Sequence, residues 1–202
     1  MPDPTVFVID DDPSFLTAVT RLLKGLGFAV RSFASATAFL KELSPGLRGC
    51  VVVDLQMPGL SGLDLQQSLS QAENPLPVIF LTGQGDIPST VQAMRSGAED
   101  FLTKRASKDE LAAAIRRAFT RDELERHKRT RLGELRARFA RLTEREMEVL
   151  RHVVRGQMNK QIASELGINE RTVKLHRTSI TRKLQAPSVA ELTRLAQEAG
   201  LF

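Results

Sequence analysis

Five short runs in the first half of the chain alternate with amphipathic stretches, and this alternation limits the folds that the chain can adopt. The runs are residues 5–9, 28–33, 51–53, 78–81 and 100–102. Their length is that of strands, and all but the last contain β-branched residues. Strands separated by helical stretches favour a parallel sheet covered on both faces by helices. We therefore predict an α/β domain with a doubly wound, five-stranded parallel sheet.

Polar residues follow these runs at points that a parallel sheet brings together. Asp10 and Asp11 follow the first run, Asp54 the third and Thr82 the fourth, and Lys104 lies just past the fifth. Because the carboxyl ends of parallel strands share one edge, and ligands bind at that edge, we expect these side chains to converge. Taken singly, each would be a turn residue, a helix cap or a solvated charge.

The chemistry of this set points to phosphoryl transfer. Three neighbouring carboxylates repel one another, and a hard divalent cation such as Mg²⁺, which prefers oxygen ligands, relieves that repulsion. An aspartate can attack phosphorus and form an aspartyl-phosphate. A lysine amine and a metal ion can stabilise the charge of the transferred group. The sequence thus predicts a Mg²⁺-dependent phosphoryl-transfer site.

Charge divides the chain into two parts. Residues 1–107 carry a net charge of −3 and residues 108–202 carry +8, which together give the overall +5. The basic part is a candidate nucleic-acid binder, although an ordinary solvated face has the same composition.

The single cysteine excludes an internal disulfide. We find no signal peptide and no apolar run long enough to cross a membrane, and we expect a cytoplasmic protein.

A charged segment with few apolar residues lies between the two parts. Apolar residues at 111, 115 and 119, and again at 132, 135, 139 and 142, have helical spacing. The segment is predicted to be one long helix, or two helices that join near Gly133. Its basic residues belong to a solvated helix that packs on its own chain, or they contact DNA phosphates.

The last part of the chain is predicted to contain four short helices. Capping boxes begin at Thr143 and Ser188, and Asn159 and Asn169 are candidate caps of the two helices between them. The segment IASELGINERTV predicts a helix-turn-helix with its turn at Gly167. One face of the third helix is exposed and largely basic, which suits the major groove of DNA. That face carries Arg171, Lys174, Leu175, Thr178 and Arg182.

The segments VIDDDPS, VVVDLQMPGLSGLDL, VIFLTGQGD and DFLTK resemble the receiver domain of two-component response regulators. The resemblance implies the sheet order 2-1-3-4-5 and phosphorylation by a sensor histidine kinase. It also implies a set of site residues. These are the phosphoacceptor Asp54; the Mg²⁺ ligands Asp11, Asp54, the backbone carbonyl of Gln56 and, through water, Asp10; the switch pair Thr82 and Phe101; and Lys104, which contacts the phosphoryl group.

One residue departs from the receiver pattern. The family usually has a proline after the lysine, preceded by a cis peptide bond, and here Arg105 follows Lys104. A cis bond before a residue other than proline costs about 2.5–4 kcal/mol, so we expect a trans bond. This departure leaves open a regulator with an attenuated switch, which would act independently of phosphorylation or through protein contacts.

The segment LTEREMEVLRHVVRGQMNKQIASELGINERTVKLHRTSITRKL resembles the LuxR-type helix-turn-helix, and the whole chain resembles the FixJ- and StyR-like subfamily. The resemblance implies that Lys174, Leu175 and Thr178 face base edges. It implies backbone contacts for Lys160, Thr172 and Arg177. In the final helix, residues 189, 192 and 196 form a dimer surface or pack on their own domain.

The sequence as a whole predicts a receiver domain in residues 1–120, a helical linker in 121–138 and a DNA-binding domain in 139–202. We expect a transcription regulator, not an enzyme, whose only catalytic activity is its own phosphorylation. Double-stranded DNA and a histidine kinase are the expected partners, RNA polymerase is a further candidate, and activation is expected to produce a homodimer. A phosphate hydrolase is the remaining alternative, but Gln56 stands where a second acidic residue would be required.

Overall fold

A computed structural model describes residues 3–72, 75–83 and 87–201. Five strands form one sheet in the order β2-β1-β3-β4-β5, and every neighbouring pair is parallel. The predicted α/β fold and its strand order are therefore confirmed. The strands are β1 (Thr5–Ile9), β2 (Ala29–Phe33), β3 (Gly49–Val53), β4 (Val78–Thr82) and β5 (Asp100–Thr103).

A helix follows each strand in the first part of the chain, and the described residues of the last part form helices without strands. Those of the α/β part are α1 (Pro13–Gly25), α2 (Ala36–Leu40), α3 (Gly62–Ser70), α4 (Ile87–Arg95) and α5 (Lys108–Phe139). The last part of the chain contains α6 (Glu144–Val154), α7 (Asn159–Leu166), α8 (Glu170–Leu184) and α9 (Val189–Glu198). None of the helices in the described ranges has the length and apolarity needed to cross a membrane.

The central strands are buried on both faces, as their continuous apolar sequences require. All residues of β3 and β4 are buried. Side chains that alternate along the strands enter two apolar clusters, one containing Phe7 and Phe80 and the other containing Val8 and Ile79. This burial fixes the register of the strands, and with it the residues that emerge at the carboxyl edge of the sheet.

The charged middle segment is helical throughout. Helix α5 is a single helix of 32 residues, and Gly133 lies inside it without a break. The chain divides into two compact units, Met1–Arg126 and His127–Phe202, so the division falls within α5. The domain limits predicted from the sequence stay a prediction.

The second unit has its own apolar core, to which α6, α7, α8 and α9 contribute. Thr143 and Glu146 form a reciprocal capping box at the start of α6, as predicted. Asn169 accepts a hydrogen bond of 2.8 Å from the Thr172 N–H and caps α8. Ser188 accepts a bond of 3.1 Å from the Glu191 N–H at the start of α9.

The predicted cap at Asn159 is wrong. Met158 is the residue before α7, and Asn159 is the first residue of the helix. Gln161 accepts a hydrogen bond from the Met158 N–H at 2.8 Å, so a side chain later in the helix satisfies this end of it. The Asn159 side chain instead accepts a bond of 2.9 Å from Nη1 of Arg177, which lies in α8.

Candidate functional site

Three aspartates meet at the carboxyl edge of the sheet. Asp10 directly follows β1 and Asp54 directly follows β3, and the Asp54 N–H donates a hydrogen bond of 3.0 Å to the Ile9 carbonyl. Asp10 and Asp54 are buried, and Asp11 is exposed. One carboxylate oxygen from each lies within 4.8 Å of those of the other two. The parallel pairing of β1 with β3 produces this convergence.

The amine of Lys104 completes the cluster. Lys104 Nζ lies 2.6 Å from Asp10 Oδ2 and 2.9 Å from Asp54 Oδ2. The Lys104 N–H donates a bond of 2.8 Å to the Thr82 carbonyl, which continues the pairing of β4 with β5. Peptide bonds between described residues are all trans, including the one between Lys104 and Arg105, so the expected trans bond is confirmed.

Burial and charge act together on this cluster. Burial raises the pKa of Asp10 above its ordinary value, the Asp54 charge adds to the rise, and bonds from Lys104 and the Asp12 N–H oppose it. Burial alone would lower the pKa of Lys104, but hydrogen bonds and charge from Asp10 and Asp54 outweigh it and raise that pKa. The ammonium therefore compensates part of the negative charge of the three carboxylates.

The donor set fits a hard divalent cation. In the part of the chain that the structure describes, Asp54 Oδ1 is buried and has no hydrogen-bond partner. A buried carboxylate oxygen without a partner is costly, and a bound cation removes that cost. Asp10, Asp11 and Asp54 are the side chains that would hold the ion. Gln56 lies two residues beyond Asp54 and is exposed.

The two predicted switch residues lie on adjacent strands. Thr82 is the last residue of β4 and is buried. Phe101, in β5, is half-buried, and its ring stacks on Phe80 with 5.8 Å between the ring centroids. Of the predicted GQGD segment that follows Thr82, residues 84–86 lie outside the described residues.

Sequence reasoning missed one residue of this site. The ring of Phe15, in the first turn of α1, lies against Lys104, with 4.3 Å between Nζ and the ring centroid. Its place two residues after Pro13, in the first turn of a helix that follows β1, was the available signal. An aromatic residue in an amphipathic helix is normally assigned to the core, so the pattern alone did not distinguish it.

A second candidate site lies on α8. Val173, Ile180 and Leu184 are buried and hold the helix on its unit. The five residues predicted on the opposite face lie at the surface, and Leu175 has 65% of its surface accessible. These residues are Arg171, Lys174, Leu175, Thr178 and Arg182.

The residues predicted to contact the DNA backbone have different surroundings. Lys160 is exposed. Thr172 Oγ1 donates to Asn169 Oδ1 at 2.9 Å, and Arg177 is half-buried and bonded to Asn159. Two of the three therefore have partners within the unit.

The dimer surface predicted on α9 is largely buried within its own unit. Leu192 and Ala196 lie in the core of the unit, and Val189 is the one of the three predicted residues that is exposed.

Both halves of the chain match known families. Residues 6–116 match the response regulator receiver domain, and residues 140–196 match bacterial regulatory proteins of the luxR family. The response regulator protein TodT of Pseudomonas putida is 40% identical over 95% of this chain and 85% of its own length. The transcriptional regulatory protein FixJ of Bradyrhizobium diazoefficiens is 41% identical over 98% of this chain and 96% of its own.

Solved structures agree with these matches. A low-resolution structure of the response regulator StyR is 43% identical, covers 98% of this chain and 100% of its own, and has a TM-score of 0.85. Full-length FixJ from B. japonicum is 39% identical, covers 100% of both chains and has a TM-score of 0.59. With a receiver match over more than half of its length and relatives about 40% identical along nearly all of it, the chain belongs to the FixJ- and StyR-like two-component response regulators, which are phosphorylation-regulated transcription factors with a LuxR-type DNA-binding domain.

Proposed function

We propose that the receiver accepts a phosphoryl group on Asp54 in a Mg²⁺-dependent reaction, and that this promotes dimerisation and promoter binding. The observation that carries the proposal is the meeting of Asp10, Asp11, Asp54 and Lys104 at one edge of the sheet. A sensor histidine kinase is the proposed phosphodonor. Residues 1–120 act as the receiver, 121–138 as the linker and 139–202 as the DNA-binding domain.

The transfer uses groups that the chain already holds together. A carboxylate oxygen of Asp54 attacks phosphorus, and a P–O bond forms as the P–N bond to the donor histidine breaks. Lys104, 2.9 Å from Asp54 Oδ2, supplies positive charge beside the transferred group. Asp11, Asp54 and the Gln56 carbonyl would hold Mg²⁺ directly and Asp10 would hold it through water, and the bound ion would neutralise phosphoryl charge.

The phosphoryl group then acts on Thr82 and Phe101. A new dianion beside Asp54 attracts the Thr82 hydroxyl, and the Phe101 ring turns inward to fill the space that the hydroxyl leaves. In physical terms, the group shifts an existing equilibrium between two conformations. The proposed dimer surface contains α4, β5 and the start of α5. Exposed apolar side chains on α4 support it, since Ile87 is 80% accessible, and Val91 and Met94 follow at helical spacing.

DNA recognition is assigned to α8. Lys174, Leu175 and Thr178 are proposed to face base edges, flanked by Arg171 and Arg182, and their exposure supports this assignment. A dimer would place two such helices about one turn of DNA apart, so we expect a roughly palindromic operator. RNA polymerase is a further proposed partner at the promoter.

The proposal is tested with Asp54→Asn. The parent protein, given acetyl phosphate and Mg²⁺, should acquire acid-labile phosphate, and the variant should acquire none. The matched control is Asp109→Asn, an exposed aspartate in the first turn of α5, which should behave as the parent does. Equal uptake by Asp54→Asn would place the phosphate on another residue.

Selection of bound sequences from random duplex DNA tests the regulatory step. The experiment is run with and without beryllofluoride, a mimic of the phosphoryl group, and dimerisation is followed in the same samples. We expect beryllofluoride to increase both dimer content and site-specific binding. Equal binding in both conditions would favour the phosphorylation-independent regulator. The hydrolase is tested by a separate assay with phosphate esters, in which turnover would favour it.

A further inference from the structure

Among the described residues, the contacts recorded for the amine of Lys104 in the receiver site are three. Two are the carboxylate oxygens Asp10 Oδ2 and Asp54 Oδ2, at 2.6 and 2.9 Å. The third is the face of the Phe15 ring, with 4.3 Å from Nζ to the ring centroid. A cation over the face of an aromatic ring at this distance is attracted by the ring quadrupole. Lys104 thus has one uncharged partner beside two acidic ones.

The start of α1 explains the position of the ring. The Asp12 side chain accepts hydrogen bonds from the Ser14 and Phe15 N–H groups, at 2.8 and 3.2 Å, and Pro13 occupies the first helical position. The helix therefore begins immediately beyond the end of β1, at the edge of the sheet that carries the aspartates. The capped turn therefore places the backbone of Phe15 at this edge of the sheet.

The two carboxylate partners of Lys104 belong to the proposed metal ligands. A divalent cation at this site would engage the same two carboxylates, Asp10 and Asp54, that Lys104 contacts. The Phe15 ring has no oxygen atom and is not a ligand for such an ion, so it remains available to the ammonium. Gly83 lies beside the lysine stem and has no side chain; a Cβ there would be 4.0 Å from Lys104 Cδ.

We propose that Phe15 is a positioning residue, whose ring keeps the Lys104 amine beside Asp54 when the cation engages the carboxylates. This inference rests on the proposed function, because it assigns to Phe15 a role in the phosphorylation of Asp54. The ring does not contact the transferred group and acts through the amine of Lys104.

Phosphorylation kinetics test the role. With acetyl phosphate and Mg²⁺, Phe15→Leu, which keeps apolar bulk and loses the ring, should be phosphorylated about 3- to 10-fold more slowly than the parent. Phe15→Tyr keeps the ring face and should restore the parent rate. The matched control is Phe28→Leu, which removes a ring from beneath Arg116 elsewhere in the same unit and should leave the rate unchanged.

A double-mutant cycle separates positioning from a general structural effect. Lys104→Met removes the ammonium, and in that background Phe15→Leu should no longer change the rate. An equal slowing in both backgrounds would overturn the proposal. If the parent protein itself acquires no phosphate, the proposed function fails; if the parent is phosphorylated and Phe15→Leu matches it, only the role of Phe15 fails.

An NMR measurement tests the contact without any reaction. In protein labelled with ¹³C-lysine, the ring current of Phe15 should shift the Lys104 ε-CH₂ signal upfield, and Lys104→Arg identifies that signal. The shift should be lost in Phe15→Leu and kept in Phe15→Tyr and Phe28→Leu. In the parent it should persist when Mg²⁺ is added. Loss of the shift on addition of Mg²⁺ would show that the ring does not hold the amine, and would overturn the proposal.

Discussion

The Gly49 N–H donates a buried hydrogen bond of 3.0 Å to Oδ2 of Asp122, 73 residues later in the sequence. Gly49 begins β3 with a φ of +124°, and a Cβ at this position would lie 1.9 Å from the Thr5 carbonyl oxygen. Only glycine therefore fits at the start of the strand. Asp122 lies in α5, where Arg126 pairs with it at 3.4 Å. The bond fastens α5 to the end of β3 that is opposite to Asp54.

Replacement of Asp122 by alanine should destabilise the first unit. The change leaves the Gly49 N–H buried without its acceptor and removes the acidic partner of Arg126, which keeps its bond to the Leu47 carbonyl, so we expect a loss of about 1–3 kcal/mol in the free energy of unfolding. Denaturant unfolding followed by circular dichroism measures the loss. Glu123→Ala is the control, because Glu123 is the next residue and is exposed. Equal stability of the two variants would contradict this account of the bond.

Gly62 is a second position at which added bulk would disturb the receiver site. A Cβ on this residue, the first of α3, would lie 2.4 Å from the Asp54 carbonyl oxygen and 2.9 Å from Phe80 Cε1. Gly62→Ala should therefore displace the backbone of Asp54, cost about 1–3 kcal/mol in stability and slow phosphorylation. Both effects are measured on one preparation, by denaturant unfolding and by uptake of phosphate from acetyl phosphate.

The control for this variant is an alanine substitution in open space. Gly133 lies within α5, and a Cβ added to it would have no atom of a more distant described residue within 4 Å. Gly133→Ala should stabilise the protein by about 0.5–1 kcal/mol, since alanine loses less conformational freedom in a helix. Destabilisation by Gly133→Ala, or an unaltered Asp54 reaction in Gly62→Ala, would contradict the steric explanation.

The sheet and its acidic edge were predictable because their causes are local and periodic. Apolar runs define strands, strand ends define an edge, and Asp10, Asp54 and Lys104 follow strand ends directly. Asp122 was not predictable, since an aspartate in a highly charged helical stretch has the pattern of a solvated residue. Its burial depends on Gly49, which the sequence places far away.

The cap at Asn159 failed for the same reason. Asparagine before an apolar helical pattern is a good local cap, but Arg177 of α8 competes for its side chain. A bond between two helices cannot be derived from the sequence of either one. Among the bonds of the described residues, Asn169 Oδ1 accepts only from the N–H and the hydroxyl of the neighbouring Thr172. No residue of another helix competes for it, and its predicted cap is confirmed.

Glu146 makes the stability of the second unit depend on pH. It accepts bonds from Lys183 Nζ and Ser179 Oγ, both at 2.7 Å, and from the Thr143 N–H at 2.8 Å. Burial alone would raise the pKa of Glu146, but these bonds outweigh burial and lower the pKa from 4.5 to about 2. A lowered pKa in the folded state contributes stability above pH 4.5, and this stability is lost as the pH falls towards 2.

Thermal unfolding between pH 6 and pH 2 measures this contribution. The stability of the second unit should fall between about pH 5 and pH 2, and Glu146→Gln should flatten that part of the profile. The variant should also be less stable at neutral pH by about 1–3 kcal/mol, because Lys183 loses its charged partner. Glu144→Gln, at an exposed neighbour, should keep the parent profile. A profile of the same steepness in Glu146→Gln would assign the pH dependence to other groups.

Lys174 and Lys160 distinguish base recognition from backbone contact in the proposed DNA complex. Both lie at the surface, on α8 and α7 respectively. If Lys174 reads a base, Lys174→Ala should cost about 1–3 kcal/mol on the selected site and much less on unrelated duplex. Lys160→Ala should weaken binding to both duplexes alike and lower the slope of log affinity against log salt by about one, because it removes one phosphate contact.

Fluorescence anisotropy with labelled duplexes at several salt concentrations provides both quantities for each variant. Glu170→Gln, at an exposed acidic residue of α8, is a control for changes on the same helix, and it should not lower affinity for either duplex. Uniform loss in Lys174→Ala would make this lysine a phosphate contact. Base recognition would then fall to Leu175 and Thr178, the other two residues proposed to face base edges.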